Sequence, residues 1–214
     1  MYFINLTIKP TNIELIESFA QGNVILSPPL GTVGNCASIA LIKASIEVFG
    51  IGNVFRHEKV GDTYQITFKN NRKVSFTEKE LERSNDVAGF VLNTKNPAKL
   101  ELYTSIRDYA QIALCAMVKR VMEIGEAGEG KGDFENALRA LNDGAYSPGL
   151  SEKLGLEEHS FRKGWLSSAS GKGILGWIKA HTVFISQGVR DDYSKVSSDS
   201  WRYPNKVQIV ENKI

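Results

Sequence analysis

Two cysteines and three histidines in 214 residues leave little room for metal or disulfide chemistry. A disulfide framework needs more thiols than Cys36 and Cys115. The histidines His57, His159 and His181 fall in no HExxH pattern, and no CxxC occurs, so no local metal signature exists and no metal is expected. No apolar run approaches the roughly 18 residues of a spanning helix, and the start lacks a basic stretch followed by an apolar one. The expectation is therefore a cytoplasmic protein with no membrane partner. Charge of one sign is also scarce: 26 basic against 24 acidic residues give a net +2, too little to draw nucleic acid. What is present is 42% hydrophobic residues, enough for a sizeable core in one or two domains.

Order along the chain is legible in places. Residues 2–8 read as a short strand ended by Pro10. From Cys36 to Phe49 the chain is almost wholly apolar apart from Lys43 and Glu47, and Gly50 closes it; this predicts a buried helix with one polar strip let out. Residues 62–76 alternate about a polar turn, as a hairpin does. A long 3.6-residue period after Asn96 and Pro97 ends at Gly125 and predicts a helix in which Cys115 is a small hydrophobe. "GEAGEGKG", 125–132, reads as a flexible connector, and Asp133 caps a short helix stopped near Gly144. Strand-like "WIKAHTVFISQG" and "KVQIV" follow, so the chain passes from a helical half to a strand-rich half.

Two glycine patterns imitate phosphate sites. In "GEAGEGKG" the residue after Lys131 is Gly132, with no hydroxyl for magnesium, and a helix precedes the loop where a strand is needed. "GKGILG", 171–176, is followed by a strand, whereas a dinucleotide site opens a helix there. No cofactor follows from either. His57 beside Glu58 reads as a surface pair, and His159 as a solvated or capping residue.

Cys36 stands after Gly34 and Asn35 and opens its helix, where unpaired amides and the helix dipole favour a thiolate. On position alone it is either a structural thiol or a nucleophile. Thiol catalysis also needs a base and a group to orient it. His181, in "KAHTVFI", is either a strand-packing residue or that base, and it lies 145 residues beyond Cys36. That interval falls within the roughly 130 to 150 that separates the two roles in papain-like enzymes.

"LGTVGNCASIALIKASI" resembles the nucleophile segment of the papain-like superfamily, most of all the calpain catalytic core with its Q-G-x-x-G-D-C-W pattern. Gly31, Gly34 and Cys36 match it, and Asn35 replaces the aspartate. "AHTVFI" is similar to the strand carrying that family's histidine, and Asn205, 24 residues beyond His181, falls where its asparagine is expected. The resemblance implies an α+β, papain-like fold forming a single unit over 1–214. Its lobes would be a helical one over 1–145 that holds Cys36 and the hairpin, and a strand-rich one over 146–214 that holds His181 and Asn205. It implies a hydrolase acting on a peptide or protein substrate through an acyl-thioester. Acyl transfer, deamidation and an inactive interaction domain of the same fold are the alternatives. The departures are Leu30 in place of the oxyanion glutamine, Ala37 in place of tryptophan, and Lys206 where the family has proline. Thr32 and Asn35 are the substitute oxyanion candidates, and Asp191 or Asp192 competes with Asn205 as the orienting group.

Overall fold

The computed structural model describes residues 8–21, 34–126, 128–145, 147–161, 170–179, 181–198 and 203–213. The expected strand over 2–8 therefore lies, but for Ile8, outside the described residues, as do Leu30, Gly31 and Thr32.

The first part is helical with a small sheet. Helix α1 (Asn12–Ser18) starts on a capping box between Thr11 and Glu14 and runs into the two-residue strand β1 (Phe19–Ala20). Helix α2 (Cys36–Phe49) has the bounds its sequence predicts, and Gly50, at φ +86°, returns its N–H to the Ile46 carbonyl. Strands β2 (Phe55–Val60), β3 (Thr63–Phe68) and β4 (Lys73–Thr77) form an antiparallel meander, one strand more than the expected hairpin. A Thr77/Glu80 capping box opens α3 (Glu78–Ala88), and β5 (Val91–Leu92) pairs with β1. A single 3-10 turn, Pro97–Lys99, leads into α4 (Leu100–Ile124), whose Cys115 is fully buried. Helix α5 (Phe134–Asn142) is capped by Asp133, whose carboxylate accepts from the Asn136 N–H at 2.7 Å.

The connector before α5 is tied down, against its composition. Glu126 and Glu129 bond each other's backbone, the Gly132 N–H reaches the Met122 carbonyl at 2.8 Å, and buried Glu126 meets Lys153 at 3.4 Å. Gly130, at φ +78°, sits so close to α5 that an added Cβ would stand 2.8 Å from the Ala137 Cα.

The strand-rich part is one antiparallel sheet of β6 (Ser160–Phe161), β7 (Ile174–Ile178), β8 (His181–Ser186), β9 (Val189–Asp191), β10 (Val196–Ser198) and β11 (Asn205–Ile209). Their spatial order is β10-β9-β8-β7-β11-β6. Helix α2 lies across β8 and β7. Phe184, Leu175 and Ile209 join the helical core on that face, while Ile174, Val183, Ile185 and Tyr203 make a second cluster. The architecture is α+β. Among the described residues no helix is long and apolar enough to cross a membrane.

The polar strip of α2 faces inward, where the sequence suggested that it faces water. Lys43 is 0% exposed and Glu47 8%. Lys43 Nζ donates to Asp191 Oδ2 at 2.6 Å and to the carbonyls of Phe19 at 2.9 Å and Ile16 at 3.2 Å, which satisfies all three ammonium protons. Glu47 accepts from the Gly173 N–H at 2.6 Å and from the Ser186 hydroxyl. His159 is likewise buried rather than solvated: its ring packs edge-on to Phe49, and Nδ1 lies 3.2 Å from the Val210 carbonyl.

Candidate functional site

Helix α2 begins where β8 begins, and this juxtaposition makes the site. Cys36, half-buried on the first turn, and His181, the first residue of β8, line one small cleft of about 30 Å³. Gln21, Thr182, Asp191, Tyr193 and Ser194 complete its polar lining, with Ile39, Ala40, Val183 and Phe184 as the apolar wall. A far larger groove, about 890 Å³, opens on the meander beside Arg56, His57 and Lys73, but no cysteine lines it. Chemistry points to the smaller one.

Burial pushes the Cys36 thiol above its ordinary pKa, and the backbone amides of Thr182, Ala37 and Cys36 itself pull the other way without prevailing. Thr182, which follows His181 on β8, lines the same cleft as Cys36. Helix-start placement does not by itself lower the pKa of this thiol. Cys115, within α4, is pushed further up by burial. Both cysteines are free.

The amide of Asn35 is turned into the core. Its Nδ2 donates to the Ala88 carbonyl at 3.0 Å and to Asn142 Oδ1 at 3.1 Å, which engages both protons and leaves none for an oxyanion. Thr32 lies outside the described residues. Gln21 also lines the cleft, and sequence reasoning did not point to it. It comes two residues after Phe19, whose carbonyl is anchored by Lys43, and so enters the cleft from β1. The available signal was Lys43: a lone cation in an apolar helix needs buried acceptors, and the segment supplying them runs beside the helix start.

Asn205 opens β11, one strand removed from β8. It pairs with Trp177, which in turn pairs with Thr182, so register sets Asn205 in line with Thr182 and places His181 on the opposite side of the pleat. Its Nδ2 lies 3.5 Å from the Trp177 carbonyl. Asp191 lines the cleft, with Oδ2 on Lys43 and Oδ1 accepting from the Ser194 N–H at 2.7 Å. Asp192 faces Ser197 and Arg190. The imidazole of His181 is stacked on the Tyr193 ring, centroids 5.2 Å apart and planes at 17°, with the Tyr203 ring tilted at 6.3 Å.

Among the described residues no group of three or more His, Cys, Asp or Glu is placed to hold a metal ion. No protein-family model, curated protein or solved structure matches the chain.

Proposed function

We propose that the protein is a papain-like thiol hydrolase acting on peptide or amide bonds, with Cys36 as nucleophile and His181 as base. The observation that carries this reading is that one cleft is lined both by Cys36, which opens α2, and by His181, which opens β8. His181 takes the thiol proton, and sulfur attacks the substrate carbonyl. The oxyanion that forms is met by the backbone N–H of Cys36 and the side-chain amide of Gln21, which fills the role expected of position 30. Protonated His181 then gives its proton to the departing amine, leaving an acyl-thioester. Water, deprotonated by His181, attacks that thioester, and the proton returns to the sulfur as the acid product leaves. Asn205 is the orienting residue in the family pattern; its place one strand away makes it the least supported of the three.

Burial of the thiol and the small cleft favour one second reading, an interaction domain of the same fold without turnover. A peptide-library digest separates the two. The wild type should yield products that vanish in Cys36→Ala and His181→Ala and fall by about 10²-fold in Gln21→Ala, while Asn205→Ala reports how much orientation that residue supplies. No Cys36-dependent product from folded wild type would refute the hydrolase.

A further inference from the structure

We infer that Tyr193 is the positioning residue for His181, held in place by the buried Lys43 and Asp191 pair; this rests on His181 being the base proposed above. The hairpin joining β9 to β10 closes on itself, with the Asp192 N–H on the Lys195 carbonyl at 2.9 Å and the reverse bond at 3.2 Å. Its two tip residues, Tyr193 and Ser194, have φ of +53° and +62°. A two-residue turn with both centres left-handed favours Asn and Gly, and a bulky side chain there is strained. Strain of this kind persists only where its surroundings over-determine it, and it gathers at functional sites.

The surroundings are specific. Asp191 Oδ1 accepts from the Ser194 N–H at 2.7 Å, and Oδ2 meets Lys43 Nζ at 2.6 Å. That same ammonium binds the Phe19 carbonyl, just ahead of Gln21, and belongs to the helix that begins with Cys36. One buried cation therefore joins the three segments that deliver Cys36, Gln21 and Tyr193 to the cleft. What the strained turn achieves is the ring of Tyr193, a residue 59% exposed to solvent, stacked on the imidazole. A ring in that place fixes the imidazole plane. It also favours the imidazolium that forms when His181 takes the Cys36 proton, because the aromatic face attracts a cation. Among the described residues, the titratable groups around the imidazole are Cys36 from α2, Asp191 from β9, Tyr193 from the turn and Tyr203 ahead of β11, with Lys43 behind Asp191 and Arg190 over the Tyr203 ring.

Glycine at position 193 separates positioning from structure, because it relieves the left-handed backbone while deleting the ring. The measurement is the rate of Cys36 alkylation by chloroacetamide from pH 5 to 10, read by peptide mass spectrometry, beside thermal melting. His181→Ala serves as the reference for loss of the base. Tyr193→Gly should fold with an unchanged or higher Tm, react about tenfold more slowly at neutral pH, and have its profile displaced to higher pH. Tyr193→Phe should keep the wild-type rate and profile. A Tyr193→Gly protein with wild-type rate and profile, where His181→Ala is slow, overturns the role of Tyr193 and leaves the base standing. An unchanged rate in His181→Ala overturns both.

Discussion

Replacing Lys43 by methionine removes the ammonium while keeping the length and much of the volume of its stem. The structure assigns the consequence. Asp191 Oδ2 loses its partner at 2.6 Å, and the carbonyls of Ile16 and Phe19 lose theirs at 3.2 and 2.9 Å. Breaking a buried pair from one side costs about 3 to 5 kcal/mol, because the remaining charge is left without compensation. Two facts temper this: the Asp191 side chain retains 9% exposure, and Oδ1 keeps its Ser194 N–H. A loss of about 4 kcal/mol follows for Lys43→Met, a large share of the roughly 5 to 15 kcal/mol that holds a typical domain folded. For a chain of this size it corresponds to a fall of about 10 °C in Tm. Adding Asp191→Asn neutralises the stranded carboxylate while retaining an acceptor for Ser194. The double variant should recover about half of the loss. Urea unfolding at pH 7 of wild type, both single variants and the double variant, at constant m-value, gives the full cycle. A Lys43→Met protein within about 1 kcal/mol of wild type, or a double variant whose loss equals the sum of the singles, would refute the argument that this pair is a coupled buried ion pair.

Two further outcomes are expected. Burial raises the folded pKa of Glu47 above its ordinary value of 4.5, against the hydrogen bonds from Ser186 and Gly173, so between 4.5 and the folded value the native state holds more protons than the unfolded one. Stability therefore falls as pH rises through that window. Glu47→Gln, whose amide keeps an acceptor for one donor and turns the Ser186 hydroxyl into an acceptor, should flatten the fall. Urea unfolding of both proteins from pH 4.5 to 7 checks this, and parallel stability curves would exclude it. Gly130→Ala should destabilise by about 2 kcal/mol or more, since the new methyl meets Val121 Cγ1 at 2.7 Å and Ala137 Cα at 2.8 Å in a left-handed backbone; an unchanged melting temperature would contradict it.

Local signals in this chain were legible, and long-range ones were not. The start of α5 follows from Asp133 and the end of α2 from Gly50, because caps act within one turn, while Asn35 makes no side-chain cap bond to α2. Its inward-facing polar strip was misread because the partners that satisfy it are remote: Asp191 is 148 residues from Lys43, and Ser186 is 139 from Glu47. A charged residue in an apolar helix invites the assumption of a solvated edge, and only tertiary structure brings the acceptors. The same limit hid His159, which meets Val210 across 51 residues. "GEAGEGKG" misled in the opposite sense. Its glycines read as freedom, yet here they permit positive φ at Gly125, Gly128, Gly130 and Gly132 and a close approach to α5. At the site, Cys36 and His181, 145 residues apart in the sequence, line one cleft. Counting six residues back from Cys36 leads to Leu30 and could not point to Gln21, which follows β1 and lines the cleft.

The placement of charge on α2 bears on why a cleft should be built this way. Cys36, Ala40, Lys43 and Glu47 fall at intervals of four, three and four residues, so they share one helix face, and that face lies on the sheet. Apolar packing alone tolerates a helix sliding along a sheet by a few tenths of a turn, because Ile and Phe side chains repack at modest cost. Lys43 and Glu47 do not tolerate it. A slide of one turn, about 5.4 Å, would strand an ammonium and a carboxylate away from Asp191, Ser186 and Gly173. The ionic contacts therefore fix the register of α2 on β8, and that register brings Cys36 to the cleft that His181 and Thr182 also line. Net stability need not gain from burying these charges, since well-packed apolar residues often serve as well. What the charges contribute is a single alignment of α2, and so of Cys36, on β8. On the proposed mechanism, apolar substitution of Lys43 together with Asp191 is thus compatible with a folded protein in which Cys36 no longer reacts in a His181-dependent way.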